Sequence, residues 1–172
     1  MKDSPLNFQV LLDYLDEANI LFSRVSDDSM SDKAVAKFTF DLASPACILC
    51  GNFRDRIKEL ASIAHEAGHV VIHRNMNREE TRNYVCTMFA VNKMGVGRIA
   101  LTAQEYILEV EAEASAKGLA ILKKIGINDG ELEVVKDMMS RWFASYENQC
   151  REDVVKKVRE KIVNDKNPAL IL

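Results

Sequence analysis

Apolar residues recur at helical spacing along most of this chain. From Asn7 to Phe22, Val10, Leu11, Tyr14, Leu15 and Ala18 fall on one stripe, the repeat of an amphipathic helix. Ser26-Asp27-Asp28-Ser29 interrupts that repeat. Ala34 to Leu42 then alternates apolar with polar positions and is rich in β-formers, which predicts a strand. After Ser44-Pro45, Ala46 to Cys50 predicts a second, shorter one. Asn52 is placed to cap a helix running to about Arg74. A helix from Glu79 to Lys93 follows, then a loop at Gly95-Val96-Gly97. Thr102 with Glu105 three residues on has the form of a capping box. It opens a long helix that ends at Gly126, in the place of a C′ glycine. Asp129 starts another helix through about Glu147, and Glu152 to Val163 makes a charged last one. No repeat, low-complexity tract or linker divides residues 1–172. The expected fold is α+β: one helix-dominated domain with a small β-sheet and a helical C-terminal part.

Composition narrows the partners. Hydrophobic residues make up 48% and charged residues 28% of 172, ordinary values for a soluble globular chain with a proper core. The net charge of −3, with basic residues interspersed among acids, gives no electrostatic case for nucleic acid. No early apolar run resembles a signal peptide, and none approaches the ~20 apolar residues that span a bilayer. A cytoplasmic protein is the expectation. Cys47-Ile48-Leu49-Cys50 has Cys-x-x-Cys spacing but no second such pair. An extended stretch sends those two side chains to opposite faces, so reduced thiols are expected.

The chemistry concentrates in His65-Glu66-Ala67-Gly68-His69. Two histidines four apart lie on one helix face and can grip one metal ion. The glutamate after the first histidine then sits beside that ion, placed to take a proton from a water. With His65 at zero on a wheel, His69 falls near about 40°, His73 near about 80° and Glu66 near about 100°. Ile57, Leu60, Ile63, Ala64, Ala67, Val70 and Val71 cluster on the other side, the core face of a helix at the floor of a cleft. Gly68 admits another backbone at close range.

Catalytic zinc takes three protein ligands and keeps an open position. His73 lies eight residues beyond His65, roughly 12 Å along a helix, too far to share the ion. It is expected to cap, pack or line the cleft. The better source is the later helix through Glu109, Glu111 and Glu113. There Ile107, Leu108, Val110, Ala114, Leu119, Ile121, Leu122 and Ile125 define an apolar arc with Glu111 near its middle. A carboxylate in mid-core is costly unless it is paired or binds a metal. Glu109 and Glu113 fall on the wetter side. Ala114, Ser115 and Gly118 leave room for the metal-bearing helix, and Ser115 is placed to orient the Glu111 carboxylate.

His-Glu-Ala-Gly-His followed, 42 residues after His69, by Glu111-x-x-Ala114-Ser115, then Gly126-Ile127, resembles the gluzincin zinc metallopeptidases. The nearest likeness is to neutral zinc metallopeptidases of the YugP type, over roughly residues 60 to 127. More distant likenesses are to the CAAX prenyl-protease group and to the ImmA/IrrE type, whose motif often continues much as Val71-Ile72-His73 does. The chain lacks the membrane segments of the first two groups and the Glu-x-x-Ala-Asn of the third. In the CAAX register Glu-x-x-Ala-Asp, the match shifts to Glu109-x-x-Ala112-Glu113, so Glu109 stands as the alternative to the favoured Glu111. The resemblance implies a zincin-like peptidase acting on a peptide or protein substrate. His65, His69 and Glu111 would hold Zn²⁺, and Glu66 would be the general base that returns the proton to the leaving amine. The segment Phe38 to Leu42 would be an edge strand on which a peptide lies. Tyr84, Tyr106, Arg98 and Tyr146 are the candidates to assist the oxyanion. Two rival readings are a catalytically silent regulatory or interaction module on the same fold, and a metal-dependent hydrolase of a non-peptide amide.

Overall fold

The computed structural model describes residues 5–37 and 45–164. Helix α1 (Pro5–Glu17) leads into strand β1 (Ile20–Arg24), a 3-10 turn (Asp28–Met30), β2 (Ala34–Lys37) and β3 (Ala46–Cys50). Then come α2 (Arg56–Asn75), α3 (Arg78–Met94), a second 3-10 turn (Val96–Arg98), α4 (Leu101–Lys124), α5 (Asp129–Glu147) and α6 (Glu152–Asn164). The architecture is α+β and helix-dominated, as the hydropathy pattern predicts. No helix among the described residues is long and apolar enough to cross a membrane.

The sheet has the order β1-β3-β2. Parallel pairing sets Ile20 opposite Ala46, and antiparallel pairing sets Ala36 opposite Ile48. β3 alternates, burying Ala46, Ile48 and Cys50 and half-covering Cys47 and Leu49. Cys47 and Cys50 therefore face opposite ways, and both are free thiols. Burial, reinforced by the charge of Glu59, pushes the Cys50 thiol up to about 11, which suits an inert core cysteine. β2 is an edge strand over Ala34–Lys37, whereas the Phe38 to Leu42 part of that expectation lies outside the described residues.

The expected helix from Asn7 to Phe22 is corrected at its end. α1 stops at Glu17, Asn19 takes the left-handed conformation (φ 53°), and Ile20–Arg24 becomes β1. Asparagine tolerates that conformation better than most residues, and the ladder with β3 then satisfies the backbone that leaves the helix.

Helix α2 lies between the sheet and α4. Its cap is Asp55, not Asn52: the Asp55 carboxylate accepts from the Ile57 and Lys58 amides. Below it, Leu11, Leu15, Ile48, Ile63, Val70 and Leu122 are completely buried in the main core. Each such side chain contributes roughly 1.5–3 kcal/mol through burial. Buried Glu59 pairs with Arg24 and, at 2.7 Å, with Arg56, tying the start of α2 to β1. Against α4 the backbones nearly touch. A Cβ on Gly68 would stand 2.1 Å from the Ala114 carbonyl oxygen, and one on Gly118 would stand 2.8 Å from that of Ala64. The close approach anticipated at Gly68 is thus present, with Gly118 as its counterpart.

The expected capping box at Thr102 and Glu105 is also corrected. The cap lies two residues earlier, at Ala100, with no side-chain hydrogen bond, α4 begins at Leu101, and Glu105 pairs with Lys157 of α6 at 2.7 Å. Its end matches expectation. Gly126 has φ 80°, its amide donates to the Lys123 carbonyl, and the Ile127 amide donates to that of Leu122, a Schellman closure. A reciprocal capping box sits instead on α3, between Asn77 and Glu80. α4 reaches a second core of Leu108, Ala112, Phe143, Val154 and Val158, which fastens α6.

Candidate metal centre

One helical turn separates His65 from His69 on α2, and their Nε2 atoms lie 3.1 Å apart. From α4, the Glu111 Oε2 oxygen stands 3.2 Å from His65 Nε2 and 3.6 Å from His69 Nε2. Donor atoms about 2 Å from a tetrahedral zinc lie roughly 3.3 Å from one another. The three distances bracket that edge. Among the described residues, no other group of three or more His, Cys, Asp and Glu converges this way. The donor set, two imidazoles and one carboxylate, could therefore hold a divalent metal ion.

The rotation of α4 is the one its wheel predicts. Glu111 is buried, while Glu109 reaches Lys161 of α6 at 2.7 Å and Glu113 pairs with Lys117 at 3.3 Å, both on the solvent side. Gly68 and Gly118 bring α4 close enough for a short acidic side chain to meet both imidazoles.

Ser115 has a different partner from the one expected. Its hydroxyl lies 3.1 Å from His65 Nδ1, so it steadies the first imidazole rather than the carboxylate. The Trp142 ring meets His65 edge-on at 6.1 Å and holds it from the side. His69 is almost wholly buried, and its Nδ1 has no hydrogen-bond partner among the described residues. His73, one turn on, stays outside the triad and packs near Tyr84, with ring centroids 6.3 Å apart. Burial, with Arg74 nearby, lowers its pKa. Its expected packing role stands.

Electrostatics single out the same spot. Burial alone would raise the Glu111 carboxyl, but the imidazoles of His65 and His69 beside it outweigh that and hold it well below the usual carboxylate range. Burial pushes the His69 imidazole down, yet its close contact with the Glu111 carboxylate and the charges of Glu111 and Glu66 leave it above its ordinary value. Tyr84 and Tyr146 are raised by burial first and by the negative charges of Glu111 and Glu66 second. Two carboxylates beneath a partly closed cleft make a field that favours a cation.

Glu66 points into this cleft from α2. Its Oε2 accepts a 2.7 Å hydrogen bond from the Ala36 amide of β2. Strand amides alternate sides, and this one faces the site. Of the four candidate oxyanion helpers, Tyr84 and Tyr146 line the cleft. Tyr106 and Arg98 are not among its lining residues, and Arg98 is exposed on its turn.

Sequence reasoning missed Trp142 and the Ala36 amide. Trp142 and Tyr146 extend the buried α5 stripe of Val135 and Met139 at helical spacing, so periodicity alone placed them inward. Nothing in an alanine code letter marks a backbone amide. Comparison of the chain with known protein families, curated proteins and solved structures gives no match.

Proposed function

We propose that this chain is a zinc-dependent peptidase. The observation that carries the reading is one convergence: His65, His69 and Glu111 donor atoms at ligand spacing, with Glu66 directed into the same cleft beside an edge strand. His65, His69 and Glu111 would hold the ion. Zinc so bound supplies Lewis acidity, polarising the scissile carbonyl and bringing the pKa of a water towards ~7.

The protein's own groups do the rest. Glu66 takes the proton from the attacking water and returns it to the departing amine. The Ala36 amide keeps the Glu66 carboxylate aimed at that position. Ser115 and Trp142 fix the His65 ring, which limits the orientations that must be sampled. Tyr146, which lines both ends of the cleft together with Glu111, is placed to donate to charge developing on the substrate oxygen. A peptide lying beside β2 brings its backbone over Glu66.

The test pairs metal content with turnover. Protein purified without added metal should hold one zinc per chain by elemental analysis, and His65→Ala should lose it. Glu66→Gln should keep the zinc and lose roughly 10²–10⁴-fold in hydrolysis of a mixed peptide substrate, since glutamine keeps the shape but takes no proton. Equal zinc in His65→Ala and wild type, or equal turnover by Glu66→Gln, defeats the reading.

A further inference from the structure

The cleft has two chemically different ends. His65, Glu66, Glu111 and Tyr146 form the waist they share. One end, about 380 Å³, is lined by polar groups including Asp32, Lys33, Lys58 and Ser62. The other, about 450 Å³, lies between β2 and α3; Val35, Val85, Met88 and Phe89 give it an apolar wall, and Lys37 and Asn92 line it as well.

That apolar wall is a helix face without a complete cover. α3 buries only Thr81 and Tyr84. Val85, Met88 and Phe89 stand at i, i+3 and i+4, the spacing of a stripe that a core ordinarily covers. Here Val85 and Met88 are half-covered and Phe89 is 65% exposed. Beside the stripe, β2 has a neighbour on one side only among the described residues, and its Ala36 amide turns towards Glu66. An extended peptide next to β2 therefore crosses the waist, and alternate side chains point to the same face. One residue adjoining the bond over Glu66 is directed onto α3.

We propose that α3 is the specificity element of this cleft: Val85, Met88 and Phe89, with Val35 opposite, receive a bulky apolar side chain of an extended peptide. Leucine, methionine and phenylalanine fit that chemistry, whereas glutamate and lysine would lose their hydration there. The fate of the bond rests on the peptidase reading. The selection itself is a binding property.

The experiment uses acetylated, amidated hexapeptides Ser-Ala-Xaa-Ala-Ser-Lys with Xaa leucine, phenylalanine, alanine or glutamate. Cleavage by zinc-loaded full-length protein is followed by mass spectrometry, and binding to Glu66→Gln protein by NMR titration. Leucine and phenylalanine peptides should be favoured about tenfold or more over alanine, the scale of a few methylenes in an apolar pocket. Phe89→Ala, at an exposed position, should level that preference, and Met88→Lys should shift it towards glutamate. Absent preference in binding and cleavage, or a preference unchanged in both variants, overturns the proposal and leaves the peptidase reading standing. Apolar selection in binding without any cleavage does the reverse. A wild-type dimer that Phe89→Ala converts to monomer by sedimentation also overturns it, since the stripe would then join two copies of the chain.

Discussion

Three glutamates crowd one turn and a half of α4, and only one of them faces the histidines. The difference is rotational. Glu111 sits on the apolar arc, about 160° from Glu109 and Glu113 by the ~100° rule, and those two are held by Lys161 and Lys117 in solvent. Glu111→Gln should therefore weaken zinc binding sharply in a competition titration. Glu109→Gln and Glu113→Gln should leave it nearly intact, because exposed ion pairs are worth about 0–1 kcal/mol and touch no donor atom. Loss of zinc in Glu109→Gln alone would mean that the other register is the working one. This residue-level choice was legible in the sequence because a buried acid in an apolar arc has few physical excuses. The partner of Ser115 was not. On its own wheel Ser115 neighbours Glu111, one turn back, and the helix crossing, a non-local quantity, decides for His65 Nδ1.

At the scale of elements, the crossing of α2 over α4 is held by two glycines rather than by large side chains. Gly68→Ala places a methyl 2.1 Å from a backbone oxygen that has no rotamer to escape through, so the helices must part. The cost should exceed the gain of about 1 kcal/mol that alanine brings to a helix interior, and reach about 1–3 kcal/mol net. Gly118→Ala, at 2.8 Å, should cost less. Denaturant midpoints for the two variants check both sign and order. An increase in stability for Gly68→Ala would contradict the packing described. The bodies of the long periodic helices were legible, and α5 with both of its boundaries. The errors fall where a local signal competed with a distant partner. Ile20, Leu21 and Phe22 continue the α1 repeat acceptably, yet pairing with β3 makes them a strand. Glu105 fits a capping box, yet Lys157 takes it. Asn52 and Asp55 are both good caps, and only the observed start of α2 separates them.

For the whole molecule, ligands 42 residues apart in sequence, His69 on α2 and Glu111 on α4, mean that one bound ion would clamp those two helices together. Ligand that binds only the folded state stabilises it by about 2.7 kcal/mol at a hundredfold excess over its dissociation constant. Chelation should thus lower the thermal midpoint by several degrees, and readdition of zinc should restore it. His65→Ala should show no such shift. A chelator that leaves the wild-type midpoint unmoved would separate the triad from stability altogether. The α+β plan could be read from periodicity alone, whereas the sheet's contribution to the site could not, because it is made by main chain. That has a consequence for how the protein would look to mutagenesis. Systematic replacement of side chains by alanine would register α2, α4 and α5 and pass silently over position 36, already an alanine, although its peptide group aims Glu66. In a lineage of such chains, position 36 would be free to drift in letter while its peptide group stayed constrained in path, and a functional map drawn from side chains would have a blank at that point of the strand.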